Sequence, residues 1–231
     1  MNGGDDADAP AAASLDRDDL TPEGQVALEA LLFRLAADEF VHAERLTEWE
    51  IFAPTIESDL ALANVAQDEF GHARLWFDLL EDLGYAEPEY IWERDPADWT
   101  HSTLVERPFD DGDWADVVVR SYLYDVAEDL RLDAVAGSGI RELVDPTEKL
   151  RAEEAYHLEH AQIWLERLCD DDIGRENVQS AADRDFEARV EALCRAIQER
   201  RGEDGIDVAT VGDVAERARS APPSRWSHPT T

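Results

Sequence analysis

Four stretches of this chain repeat apolar residues at steps of three and four, and all four stripes are interrupted by side chains that ionise. Leu28, Leu32 and Leu35 lead to Glu39 and His42 before Leu46; Leu62 and Val65 lead to Glu69 and His72 before Trp76, Leu79 and Leu83. Trp114, Val118 and Ser121 lead to Asp125 and Glu128 before Leu132 and Val135; Leu150 leads to Glu154 and His157 before Ala161, Trp164 and Leu168. Residues so spaced share one helical face, the face a soluble helix buries. Four such helices specify an all-α fold, an antiparallel four-helix bundle, with a longer link between the second and third helices.

Local signals bound the helices. Thr21 followed by Pro22 reads as an N-cap and first helical position, and Pro54 breaks the first helix from the second. The second stops at Gly84. The long link runs through Asp95-Pro96, Arg107-Pro108 and Asp111-Gly112 to Asp113, the expected N-cap of the third helix. Gly137-Ser138-Gly139 interrupts, and Asp145-Pro146-Thr147-Glu148 reads as the start of the fourth. Residues 1–20 are expected to form an acidic disordered tail, 21–175 the bundle, and 176–231 an additional C-terminal helix and tail. That helix, carrying Phe186, Val190, Leu193 and Ile197, should pack outside the bundle or at a contact between subunits. The end from Pro222-Pro223 onward reads as loose.

A buried carboxylate or imidazole costs several kcal/mol, about 3–5 where a partner is missing, unless it is paired, hydrogen-bonded or bound to metal. The simplest partner common to four stripes is a cation on the bundle axis. Glu-x-x-His places both side chains on one helical face, and Glu69-Phe70-Gly71-His72 and Glu154-Ala155-Tyr156-His157 both have that form. Di-iron and di-manganese carboxylate bundles take one carboxylate from each of two helices and Glu-x-x-His from each of the other two. Glu39 supplies the first helix, and Asp125 or Glu128 the third. The step from Glu39 to Glu69 is 30 and from Asp125 to Glu154 is 29, against 26 from Glu128, so the near-repeat favours Asp125.

Glu39 and His42 form a third instance of the motif, so three of the six histidines follow it. The candidate ligands are thus Glu39, Glu69, His72, Asp125, Glu154 and His157, for two iron ions or manganese. His42 and His160 read as supporting or core histidines, and Trp76 and Trp164 as core. The competing reading is a relic site whose polar groups satisfy one another and water.

Composition narrows the partners. With 21 Lys and Arg against 55 Asp and Glu the formal net charge is −34, which excludes a polyanion such as nucleic acid as the natural ligand. Lys149 is the single lysine, and an anionic, lysine-poor surface fits a protein kept soluble in a very salty cytoplasm, a halophilic adaptation. The two cysteines, Cys169 and Cys194, are too few for a rubredoxin-type iron site or a disulfide scaffold, so an intracellular, cytoplasmic protein is expected. No apolar run approaches the roughly 18 residues of a membrane helix, and the N-terminus lacks signal-peptide character.

Several ordered motifs resemble one family. Trp49-Glu50-Ile51-Phe52-Ala53-Pro54, the run from Asp59 through Gln67-Asp68-Glu69 to Arg74, Leu104-Val105-Glu106-Arg107-Pro108, and the stretch from Glu153 to Leu168 are similar to the ferritin-like subunits of phenylacetyl-CoA epoxidase. In that phenylacetate-catabolism multicomponent oxygenase, a catalytic subunit holds a di-iron site and a homologous structural subunit has lost the ligands. The segments Asp59 to Asn64 and Leu104 to Pro108 resemble the structural subunit. Gln67-Asp68-Glu69-x-x-His72 and Glu153-Glu154-x-x-His157 resemble the catalytic one, whose pattern implies ligands at Glu39 and Asp125 and has no histidine at the place of His42. The resemblance implies a di-iron monooxygenase component that activates O2 to oxidise an aromatic acyl-CoA, with a homologous subunit or homodimer and a separate reductase as partners. A non-catalytic scaffold subunit is the alternative within the family. Iron storage or peroxide scavenging by a ferritin-like protein is the alternative outside it.

Overall fold

A computed structural model describes residues 16–107 and 112–185. Helix α1 spans Pro22–Trp49, with the Thr21 hydroxyl accepting from the Gly24 amide and proline at the first helical position. A short 3-10 turn, Glu50–Phe52, leads to α2, Ile56–Asp82, capped by Thr55. Gly84 beyond its end takes φ 101°, a left-handed conformation that glycine adopts without strain. The link that follows contains the one-turn helix α3, Thr103–Glu106. Helix α4 spans Trp114–Ala136 and opens on a reciprocal capping box between Asp113 and Asp116. Helix α5 spans Arg141–Leu168.

The fourth main helix corrects one sequence expectation. It starts at Arg141, ahead of the Asp145-Pro146 signal, and carries Pro146 inside it. Pro146 has no amide hydrogen for the preceding turn, while the Thr147 hydroxyl donates to the Leu143 carbonyl. The proline therefore sits within a continuous helix instead of beginning one.

The fold is all-α, a ferritin-like bundle. Short connections make α1 with α2 and α4 with α5 two hairpins, and α2 also packs on α5. Apolar layers close both ends of the bundle. Leu28, Leu32, Leu35, Trp76, Leu80, Leu132 and Leu150 form the larger, and Leu46, Leu62, Val65, Ala66 and Val117 the smaller. Trp76 is fully buried in the larger layer, as expected of a core residue. Trp164 packs edge-on to Trp114, ring centroids 5.3 Å apart. The long link adds Leu104 and Val105, which are fully buried beside Tyr124.

The chain divides into units 1–181 and 182–231, the second described only over 182–185. Residues 172–185 are helical. Phe186, Val190, Leu193 and Ile197 of the expected C-terminal helix lie outside the described residues, as does most of the expected acidic tail. Among the described residues no helix is long and apolar enough to cross a membrane.

Candidate metal centre

Between the two apolar layers each long helix contributes ionisable side chains. Glu39 and His42 from α1, Glu69 and His72 from α2, Asp125 and Glu128 from α4, and Glu154 and His157 from α5 are all buried. All six sequence-predicted positions therefore face inward. Helical spacing accounts for this, because each pair lies three residues apart on the stripe that its helix turns to the core.

Glu69 sits at the middle. One of its oxygens lies 3.5 Å from His157 Nδ1 and 4.0 Å from His42 Nε2, and the other 3.8 Å from His72 Nδ1. Glu154 Oε1 lies 3.1 Å from His72 Nδ1 and 3.3 Å from His157 Nδ1. Despite these approaches, both Nδ1 atoms and all four oxygens of Glu69 and Glu154 lack an aligned hydrogen-bond partner. The same holds for both oxygens of Asp125 and Glu128, for Glu39 Oε1 and for both ring nitrogens of His42. Buried polar atoms are normally satisfied. Here a dozen-odd donor atoms point toward common centres without bonding one another, the arrangement a set of metal ligands shows once its ion is taken away.

Three groups bring ligand atoms within 4.8 Å of one another: Glu39 with Glu69 and His72, Glu69 with Glu154 and His157, and His42 with Glu69 and Asp125. Glu69 belongs to all three. The donor set, carboxylate oxygen and imidazole nitrogen, suits iron, manganese or zinc better than the soft ions that thiolates select.

The outward edges of the imidazoles are held by residues that helical spacing alone does not reveal. His72 Nε2 lies 3.0 Å from Glu153 Oε2, and His157 Nε2 3.3 Å from Asp68 Oδ2. The pairing is crossed, since the residue before each motif glutamate on one helix meets the motif histidine of the other. A carboxylate on one ring nitrogen fixes the tautomer and turns the other nitrogen toward the ion. Glu39 has its own support, for the Tyr124 hydroxyl donates to Glu39 Oε2 at 3.0 Å. Next to Glu39 on α1, fully buried Asp38 accepts from the Ser102 amide and pairs with Arg131, whose guanidinium lies 5.4 Å from the Tyr124 ring centroid. These partners lie on other helices and the link, beyond the reach of a spacing argument.

The electrostatics follow from this crowding. Burial opposes charge on both motif histidines, yet Glu154 and Glu69 outweigh it, holding His72 up to about 10 and His157 up to about 12. Burial would raise Glu69, but His157, His72 and His42 hold it well below the usual carboxylate range. Burial and then the neighbouring Glu128 push Glu39 well up. Burial followed by Glu154 and Glu69 does the same to Asp125, and Glu128 is pushed up to about 8, chiefly by burial. Burial lowers His42 despite Glu69 beside it.

A mostly apolar cleft of about 330 Å3, including the solvent at its mouth, opens on the Asp125 and His157 side, between α2, α4 and α5. Leu62, Val65, Trp114 and Val118 line it, with His160 and Ser121 as further polar groups. His160, half-buried, thus faces the cleft.

A ferritin-like bundle enclosing a carboxylate and imidazole cluster able to bind metal is the class that this fold and site define. The sequence matches the phenylacetic acid catabolic protein family over residues 12–206, and the chain belongs to that family. It is also 31% identical, over 185 residues, to one of the subunits of the 1,2-phenylacetyl-CoA epoxidase of Escherichia coli (strain K12), an alignment covering 79% of this chain and 71% of the relative.

Proposed function

We infer that the cluster binds two iron ions and that the protein is a di-iron oxygenase component of phenylacetyl-CoA epoxidase type. Glu39, Glu69, His72, Asp125, Glu154 and His157 would hold the metals. The observation that carries this reading is the set of buried ligand atoms left without partners on two facing Glu-x-x-His motifs that share Glu69. Bound iron supplies the redox chemistry of O2 activation.

The chain's own residues do the rest. Asp68 and Glu153 orient the two imidazoles, and Tyr124 fixes one carboxylate. The apolar layers exclude water from the centre, which strengthens every charge interaction within it. The cleft beside Asp125 and His157 offers an apolar approach that fits the aromatic end of an acyl-CoA. Electrons come from a separate reductase, and the complex is completed by a homologous subunit. Manganese is the alternative metal.

Anaerobic Fe(II) titration tests the reading: about two irons per chain are expected, and Glu69→Ala or His157→Ala should abolish uptake. The second reading, a scaffold subunit of such a complex with a remnant site, is supported by the segments Asp59 to Asn64 and Leu104 to Pro108, which resemble the family's structural subunit. A chain that folds but takes up no Fe(II) would establish it in place of the first.

A further inference from the structure

We propose that His42 is a metal ligand, giving the centre a third imidazole, contributed by α1. The inference rests on the dinuclear reading above. His42 is fully buried, and neither ring nitrogen has a hydrogen-bond partner. A buried nitrogen left bare costs about 1–3 kcal/mol, so a ring serving only as packing would be cheaper as phenylalanine or leucine.

The ring's surroundings account for its faces but not its edge. Tyr124 lies against it with centroids 4.4 Å apart and planes 37° apart, a contact that satisfies neither nitrogen. In front of the edge stand Glu69 and Asp125, whose ligand atoms lie with that of His42 within 4.8 Å of one another. The separation of His42 Nε2 from Glu69 Oε1, 4.0 Å, is decisive. It exceeds the roughly 2.7–3.2 Å of an N–H···O hydrogen bond. It falls inside the roughly 4.2 Å that two donors can span across one ion when each bond is about 2.0–2.2 Å. The gap therefore has the width of an ion and not of a hydrogen bond.

Helical spacing gives the same answer independently. His42 follows Glu39 by three residues, as His72 follows Glu69 and His157 follows Glu154, so α1 repeats the motif that α2 and α5 carry. Helix α4 then provides carboxylates alone. A third neutral donor offsets part of the carboxylate charge and fills a coordination position otherwise open to solvent or O2.

The test uses the full chain loaded anaerobically with Fe(II), and X-ray absorption to count imidazole ligands. The unaltered protein should show about 1.5 imidazoles per iron, and His42→Gln about 1. In parallel titrations His42→Gln should bind one of its two equivalents at least about tenfold more weakly than the unaltered chain. An unaltered chain that takes up two irons but shows about one imidazole per iron overturns the proposal while leaving the dinuclear reading intact. Unchanged affinity of both equivalents in a folded His42→Gln does the same. No uptake by the unaltered chain overturns both. The count on the unaltered chain needs no variant, so a His42→Gln chain that fails to fold leaves the decision in place.

Discussion

At Glu69 three imidazoles converge on one carboxylate, and this crowding decides how the centre handles protons. His72 and His157 are held up to about 10 and about 12, so at neutral pH both carry a proton in the metal-free protein. Glu39, Asp125 and Glu128 are pushed upward by burial and by neighbouring carboxylates, which favours their protonated forms too. A metal ion accepts only the deprotonated donors. Groups raised above neutral pH therefore lose protons as the ion enters, and mass action makes binding tighter as pH rises. Between about pH 6 and pH 8 the apparent affinity for Fe(II) should increase at least tenfold, with about two or more protons released per chain at pH 7. Anaerobic titration in weakly buffered solution, followed with a pH indicator, measures both. Uptake without proton release would remove His72 and His157 from the ligand set.

At the scale of the helices, the clearest departure from the sequence reading can itself be tested. Pro146 resembles a helix start, yet α5 begins at Arg141 and runs through it. An interior proline forfeits one backbone hydrogen bond and crowds the carbonyl of the preceding turn. Pro146→Ala should therefore stabilise the protein by about 1–3 kcal/mol, seen as a higher thermal midpoint by circular dichroism, with metal uptake unchanged. A lower midpoint would mean that the proline's restriction of the unfolded chain outweighs its cost in the helix. The contrast with Thr21 and Asp113 shows what a sequence can convey. Their caps act within a few residues, so spacing identifies them. The eight inward-facing ionisable residues were legible for the same reason. Asp68, Glu153, Tyr124 and the buried Asp38–Arg131 pair were not, because each meets its partner across helices. Leu104 and Val105 look like link residues and yet fill the core beside Tyr124. Whether His42 belonged with packing or ligands turned on a distance between helices that periodicity does not contain.

Over the whole molecule the charge of −34 acts as one quantity, largely apart from the centre. Few of the 55 acidic residues are buried, among them Asp38, Glu39, Glu69, Asp116, Asp125, Glu128 and Glu154 in the bundle, and many of the others stand on the described surface. Folding brings these surface carboxylates closer together than they are in the unfolded chain, so their repulsion opposes the compact state. Salt screens it within about 10 Å at 0.1 M and about 3 Å at 1 M. The metal-free protein, kept in chelator, should therefore gain about 10 °C in thermal midpoint between 0.1 and 2 M KCl, corresponding to about 3 kcal/mol for a chain of this size. The shape of the rise separates causes. Screening is nearly complete once the Debye length falls to about 3 Å, so most of the gain should come below about 1 M. General exclusion of solute from the surface would keep raising the midpoint beyond that point. A midpoint that is flat or falls with KCl would show that the acidic surface is not what limits stability, and would refute the halophilic reading of the composition.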